Sequence, residues 1–265
     1  MPEPELHSAP VNVRLSPTAK LAARGFGKAL RGASLAAVLL TLPGCQTINV
    51  NYSNAPQIRM IAASPGAPGL DFEIGAVISA YNIGFGDLTS YVQQQPGNYN
   101  INILNHDTNQ VLATQKQTLS PAKTYTALVS NTGANLTETI LQDQNTPAPS
   151  GEISVRVLDE AMHVGAVDVY LVPSTGKLTD TSPLLTNVAF GSNSGYLNVP
   201  AGTYSVAVVP TGTVPVSTTT TLLTGPSVGY SGGSVRTVVL FDQVVVSTPV
   251  VGAIVAADYD PAGAS

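Results

Sequence analysis

The sequence has no tryptophan, one cysteine, three histidines and few charges, with Asp, Glu, Lys and Arg making up only 10% of 265 residues. An average soluble domain carries roughly 25%. A single cysteine excludes an intramolecular disulfide framework. The scarcity of Glu, Lys and Arg removes the residues from which exposed helices are usually built, and no segment after Cys45 shows the helical hydrophobic period. Only His106 and His163 follow Cys45, and neither has a second histidine or a carboxylate at metal-ligand spacing. There is no Gly-x-Ser-x-Gly elbow. Gly84-Phe85-Gly86 and the Gly229–Gly233 stretch lack the strand–loop–helix setting of a phosphate cradle. The expectation is therefore a protein with no catalytic site, no metal and no cofactor.

What is present points to strands. Hydrophobic residues make up 43% of the chain, and Val, Thr and Tyr suit a pleated surface while Gly, Pro and Asn suit the turns between strands. Five of the eleven bases, but only two of the sixteen acids, precede Cys45, which leaves a net charge of −8 from Cys45 onward. That balance offers nothing to a phosphate backbone and argues against nucleic acid as a partner.

The N-terminus reads as a leader. Arg24, Lys28 and Arg31 precede an uncharged stretch, 32–44, that includes Leu35-Ala36-Ala37-Val38-Leu39-Leu40. A basic segment, a short apolar run and small residues make a secretory signal peptide, and the run is too short to cross a bilayer, which takes about 20 residues. It ends in Leu42-Pro43-Gly44-Cys45, which resembles the bacterial lipobox. That resemblance implies that Cys45 takes a diacylglycerol thioether and becomes the lipidated N-terminus, so that membrane lipid is a partner through acylated Cys45. In proteins with this motif an Asp after the cysteine commonly retains them in the inner membrane, so Gln46 implies a cell-envelope protein lipid-anchored at the outer membrane. Two or three acyl chains hold a protein effectively permanently.

The rest of the chain repeats itself. Asn82-Ile83-Gly84-Phe85-Gly86 matches Asn187-Val188-Ala189-Phe190-Gly191, and Tyr91, Gly97 and Tyr99 match Tyr196, Gly202 and Tyr204, all at an offset of 105. Upstream, Leu70-Asp71-Phe72-Glu73 matches Val167-Asp168-Val169-Tyr170 at an offset of 97. Both copies end in an apolar segment capped by acid, at Asp143 and Asp258. Tyr99–Ile103 and Tyr204–Val208 alternate apolar and polar residues as half-buried strands do, and residues 105–109 form a hairpin turn. The recurring tyrosines read as packing residues. The tract 216–223 reads as an edge strand or a flexible hairpin. The expected organisation is a signal peptide (1–44), a tether (45–57), a first β-sandwich domain (58–143), a linker (144–151) and a second (152–260).

The segment Ala63-Ser64-Pro65-Gly66-Ala67-Pro68-Gly69-Leu70-Asp71-Phe72, with the Asn-x-x-Phe-Gly and Pro-x-Gly-x-Tyr elements, resembles a tandem β-sandwich domain of exported bacterial proteins known only as a domain of unknown function. The resemblance implies an all-β fold of two sandwiches, immunoglobulin-like or transthyretin-like, after a cleaved signal peptide. It implies no reaction. The second copy has lost the Ser-Pro element, so Ser64, Pro65 and Asp71 mark a candidate binding loop of the first copy alone. The functional reading is a non-enzymatic cell-envelope lipoprotein serving as a structural or binding module, with envelope proteins or glycans as partners. A surface adhesin or carbohydrate-binding module remains the alternative.

Overall fold

The computed structural model describes residues 54–132, 135–219, 221–243 and 251–261. Cys45, the leader and most of the tether lie outside them. In the first half the strands are β1 (Gln57–Ala62), β2 (Leu70–Ile74), β3 (Val77–Ile83), β4 (Val92–Gln93), β5 (Gly97–Asn105), β6 (Val111–Leu119), β7 (Thr124–Ser130) and β8 (Thr137–Asp143). The second half has β9 (Glu152–Glu160), β10 (Val167–Pro173), β11 (Leu185–Val188), β12 (Asn193–Pro200), β13 (Gly202–Pro210), β14 (Leu223–Thr224), β15 (Val228–Tyr230), β16 (Val235–Asp242) and β17 (Val251–Tyr259). The described residues include no α-helix, only short 3₁₀ turns such as Leu178–Asp180. Among the described residues of the threonine tract, only Leu223 enters a strand.

Four sheets result, two from each half. The first half gives β4-β1-β7-β8 and β3-β2-β5-β6, and the second gives β12-β9-β16-β17 and β11-β10-β13-β14, with β15 also on β13. The order is the same in both halves. In each, one central pair is parallel: β1 with β7, and β9 with β16. Gln57 pairs with Thr124 and Ser154 with Val235, so offsets of 97 and 111 superpose the two parallel pairs residue for residue. Within each half the two sheets face each other across an apolar core. Ile58, Met60, Phe72, Ile101, Ile103 and Tyr125 fill the first, and Ile153, Val155, Val169, Val208, Val238 and Leu240 fill the second. Each fully buried side chain of this size contributes about 1.5–3 kcal/mol.

The sheets β4-β1-β7-β8 and β12-β9-β16-β17 are buried on their other faces too, against each other. Ile61, Ala63 and Leu128 of the first half meet Leu158, Val239, Phe241, Ile254 and Ala256 of the second in one cluster. The two halves together thus stack four sheets, and the two inner sheets have no solvent face at their centres. Every residue of β7 is buried, as are the seven central residues of β9. Phe241 lies so close over Gly252 that a Cβ there would sit 2.4 Å from the ring. A Gly252→Ala variant should lose about 1–3 kcal/mol by overpacking, read as a lowered Tm.

The repeated motifs have local structural work. Tyr99 and Tyr204 fold back over Gly97 and Gly202, and their hydroxyls donate to the carbonyls of Gln95 and Pro200, each at 2.9 Å. This accounts for the Pro-x-Gly-x-Tyr element. Asn82 and Asn187 adopt left-handed backbone at φ 50° and 54°, which asparagine tolerates better than most residues.

Candidate functional site

The inner sheets carry arginines where their alternation would otherwise place apolar residues. Arg59 in β1 and Arg156 in β9 are equivalent positions, both nearly inaccessible to solvent. Each reaches across the seam to the acid that ends the other half. Arg59 Nη2 pairs with Asp258 Oδ1, and Arg156 Nη2 with Asp143 Oδ1 at 2.6 Å. Arg59 Nε donates to Thr126 Oγ1 at 3.0 Å, and Thr126 donates to Asp143 Oδ2 at 2.7 Å. In the other half Arg156 Nε donates to Thr237 Oγ1 at 3.0 Å, and Thr237 donates to Asp258 Oδ2 at 2.6 Å. The six residues close a ring with two-fold pseudo-symmetry.

Tyr91 and Tyr196 complete the ring on equivalent terms. Their hydroxyls donate to Asp143 Oδ2 and Asp258 Oδ2, each at 2.8 Å. Their rings lie under the guanidinium groups of Arg59 and Arg156, at 4.5 and 4.7 Å, a cation–π arrangement strengthened by desolvation. Burial, helped by the adjacent carboxylates, pushes both phenols well above the usual range, so they remain donors. Burial also raises Asp258, against the pull of Arg59. The charges within the ring balance, and each carboxylate accepts from an arginine, a threonine and a tyrosine. That is the condition under which a buried ion pair is tolerated.

The candidate loop of the first copy faces inward. Ser64 and Pro65 are buried, and Ser64 Oγ donates to the carbonyl of Asn131 at 2.5 Å. Asp71, also buried, accepts from the backbone N–H of Asn82 at 2.8 Å and holds His106 Nδ1 at 2.8 Å. Its equivalent Asp168 accepts from the N–H of Asn187 at 2.8 Å, Thr211 Oγ1 at 2.6 Å and the N–H of Gly212 at 3.1 Å. Burial alone would raise Asp168, but these three hydrogen bonds outweigh it and hold the carboxyl below its ordinary value. Both aspartates thus fix the turn at the left-handed asparagine. His163 Nδ1 bonds Asp242 Oδ2 at 2.8 Å. Among the described residues no group of three or more His, Cys, Asp or Glu is arranged to hold a metal ion.

The seam also has an opening. A cavity of about 200 Å³ lies between the halves, bordered by Ser130 and Thr139 of the first and by Leu158, Glu160, Phe190 and Ser192 of the second. Burial pushes the Glu160 carboxyl up, with the neighbouring Ser130 hydroxyl working the other way. Asp159, fully buried beside it, accepts from the N–H of Ala161 at 2.9 Å while its Oδ2 has no partner, and burial pushes it up to about 6. Ser130 ends β7, which runs parallel to β1, so the cavity lies past the far end of β1 from Gln57. Six residues of strand span roughly 20 Å.

The model of the family "Domain of unknown function (DUF4397)" matches residues 56–170 and again 173–264. The chain belongs to the DUF4397 family. It carries two tandem copies of that domain. No curated protein matches it. Among solved structures, the chain is similar to CBMbc (family CBM26) from Eubacterium rectale Amy13K, solved in complex with maltoheptaose. Identity is 10%, over 78% of this chain and 98% of that one, with a TM-score of 0.23. A likeness at that score has no bearing on function.

Members of both sites recur in the repeat, Tyr91, Tyr196, Asp143 and Asp258 for the ring and Phe190 for the cavity, but nothing in the motifs shows that they meet. A further signal is that Arg59 and Arg156, two of only six bases after Cys45, stand 97 residues apart like Asp71 and Asp168.

Proposed function

We propose that this chain is a non-enzymatic lipoprotein of the cell envelope, held at the outer membrane through acylated Cys45, with its paired DUF4397 domains acting as one stiff structural or binding module. The observation that carries this reading is the buried ring of Arg59, Thr126, Asp143, Arg156, Thr237 and Asp258, which welds the two sandwiches together. Tandem domains joined only by a linker move independently, whereas a shared core crossed by two buried ion pairs makes a rigid spacer. The polar opening at the end away from Gln57 suits a module tethered at its N-terminus.

Fractionation tests the anchor. Wild-type protein is expected in the outer-membrane fraction, and the Cys45→Ser variant in the soluble periplasmic fraction. Unchanged membrane attachment of Cys45→Ser would rule out the lipid anchor. Protease treatment of intact cells then separates a surface-facing module, cut without opening the outer membrane, from a periplasmic one.

The adhesin or carbohydrate-binding alternative draws on a shallow open hollow on β5 and β6, bordered by Asn98, Tyr99, Asn100, Lys116, Gln117 and Thr118. A glycan array with no hit counts against it.

A further inference from the structure

The two-fold relation between the halves gives the seam two equivalent corners, and only one of them is closed. At the closed corner Phe85 packs edge-on against Phe241, with ring centroids 5.0 Å apart and an interplanar angle of 80°. Ile254 and Ala63 belong to the same apolar cluster. At the open corner the equivalent of Phe85 is Phe190, but the equivalents of Phe241, Ile254 and Ala63 are Ser130, Thr139 and Glu160. Leu88 is likewise matched by Asn193. Four apolar side chains of the closed corner are thus replaced by polar ones at the open corner. Leu128, Leu141 and Leu158 keep the apolar character of Val239, Ala256 and Ile61, and Asn131 and Ser192 stand where the closed corner has Asp242 and Asp87. Phe190 is left 42% exposed, with the cavity beside it.

A random packing fault would leave an apolar void. This hollow instead is bordered by the apolar Leu128, Leu141 and Leu158, by several hydroxyls, by the aromatic Phe190 and, among the described residues, by a single ionisable group, Glu160. Among the described residues no lysine or arginine borders it, and Glu160 makes no ion pair. The closest acids in sequence and register, Asp159 and Asp242, add charge of the same sign, and only Asp242 has a histidine partner. A half-buried carboxylate without a cation is unfavourable, and an unfilled hollow loses the dispersion contacts its walls would otherwise make. A neutral polyol would satisfy the hydroxyls and leave the carboxylate unpaired. A cation on an apolar stem satisfies both, with its methylenes on the leucines and its charge between Glu160 and the Phe190 ring.

We infer that the open corner of the seam binds a primary ammonium group carried on a short alkyl chain, with Glu160 as counter-ion and Phe190 as aromatic contact. This rests on the binding-module reading above and names its ligand class. Two sources share that chemistry, a free diamine and a lysine side chain of another polypeptide.

The test uses the full chain in detergent, titrated by calorimetry with 1,5-diaminopentane and with Nα-acetyl-lysine amide, and with 1-pentanol and glucose as neutral controls. One amine per chain is expected to bind saturably, with no response to either control. Glu160→Gln should weaken binding about tenfold or more, the loss of one charge-assisted contact, and Phe190→Ala should weaken it roughly fivefold. Tighter binding of the acetyl-lysine amide identifies a polypeptide as the source, and tighter binding of the diamine a free amine. No saturable amine binding, undiminished binding in Glu160→Gln, or glucose binding in place of amines would each overturn the assignment. Such a failure beside normal Cys45→Ser fractionation would leave the envelope reading standing, and the converse result would leave the ligand standing.

Discussion

Asp143→Asn should lower the stability of the whole molecule by about 3–5 kcal/mol, the usual effect of removing one partner of a buried ion pair, which for a chain of this size is a fall in Tm of roughly 10 °C. Arg156 would be left charged, inaccessible to solvent and without its carboxylate, and Thr126 and Tyr91 would lose the acceptor they share. Asp258→Asn should match it closely, because Arg59, Thr237 and Tyr196 stand in the same relation to Asp258. The double variant should lose less than the sum, since the first substitution already opens the ring. Limited proteolysis gives an independent reading: with the ring broken, residues 144–151 should be cleaved faster. A Tm within 2 °C of wild type in both single variants would show that the apolar part of the seam, around Ile61, Leu128 and Phe241, holds the halves without the ring. Replacing the arginine and aspartate of a pair together by well-packed apolar residues should restore most of the loss.

The second large effect belongs to Glu138. It lies in β8, is 3% exposed, and neither of its carboxyl oxygens has a hydrogen-bond partner. Its neighbour two residues on, Ile140, packs on the first core, and the equivalent position in the second half is Ala253. Burial pushes the carboxyl up to about 8 from an ordinary 4.5. Between those values the folded state holds a proton that the unfolded state has released. The stabilisation is therefore complete below about pH 4.5 and is lost as pH rises to about 8, beyond which both states are ionised. The loss should reach about 4 kcal/mol by pH 8, at roughly 1.4 kcal/mol per unit. Glu138→Gln removes the titrating group, so variant and wild type should melt close together at pH 4.5. At pH 8 the variant should melt roughly 10 °C higher. Asp159, raised to about 6, and Glu160 and Asp258, also raised, slope the same way, so only the difference between variant and wild type isolates Glu138. Parallel stability curves from pH 4.5 to 8 would show that Glu138 is ionised in the folded protein.

The outer sheets were legible in the sequence because their strands alternate. In the first half water lies on one face, although in the second half Tyr170, Ala207 and Val209 are buried on the outer face as well. Tyr99–Ile103 and Tyr204–Val208 alternate cleanly, and they lie within β5 and β13. The repeat was legible as well, since its turns demand particular residues: asparagine at the left-handed position, and glycine under each tyrosine. The inner sheets were not. In Gln57–Ala62 and Glu152–Glu160 the polar members of the alternation look solvent-facing, yet Arg59, Ser154 and Arg156 are among the most buried residues of the chain. What satisfies them lies up to 199 residues away, and no local period reports a partner at that distance. Glu138 misleads in the same way, as an acid in an alternating strand whose charged side turns to the core. The candidate loop drew notice because the second copy lacks its Ser-Pro element. Its carboxylate and hydroxyl prove to be engaged in holding the turn and the neighbouring strand end. The open corner needed the superposition of the two copies, because each of its residues is ordinary on its own.

The reciprocity of the ring has an implication for assembly. A surface on which one element's arginine meets the other's aspartate, and the reverse, is self-complementary, as in a two-fold homodimer. Joined in one chain, the two halves associate at an effective concentration set by the eight residues between them, so their union no longer depends on protein concentration. Joining also releases the halves from having to change together. In a homodimer every substitution appears at both corners, so a packed corner and a polar, open one could not coexist. Within one chain Phe241 can seal one corner while Ser130, Thr139 and Glu160 leave the other polar and open, and the symmetric remainder keeps the pair assembled.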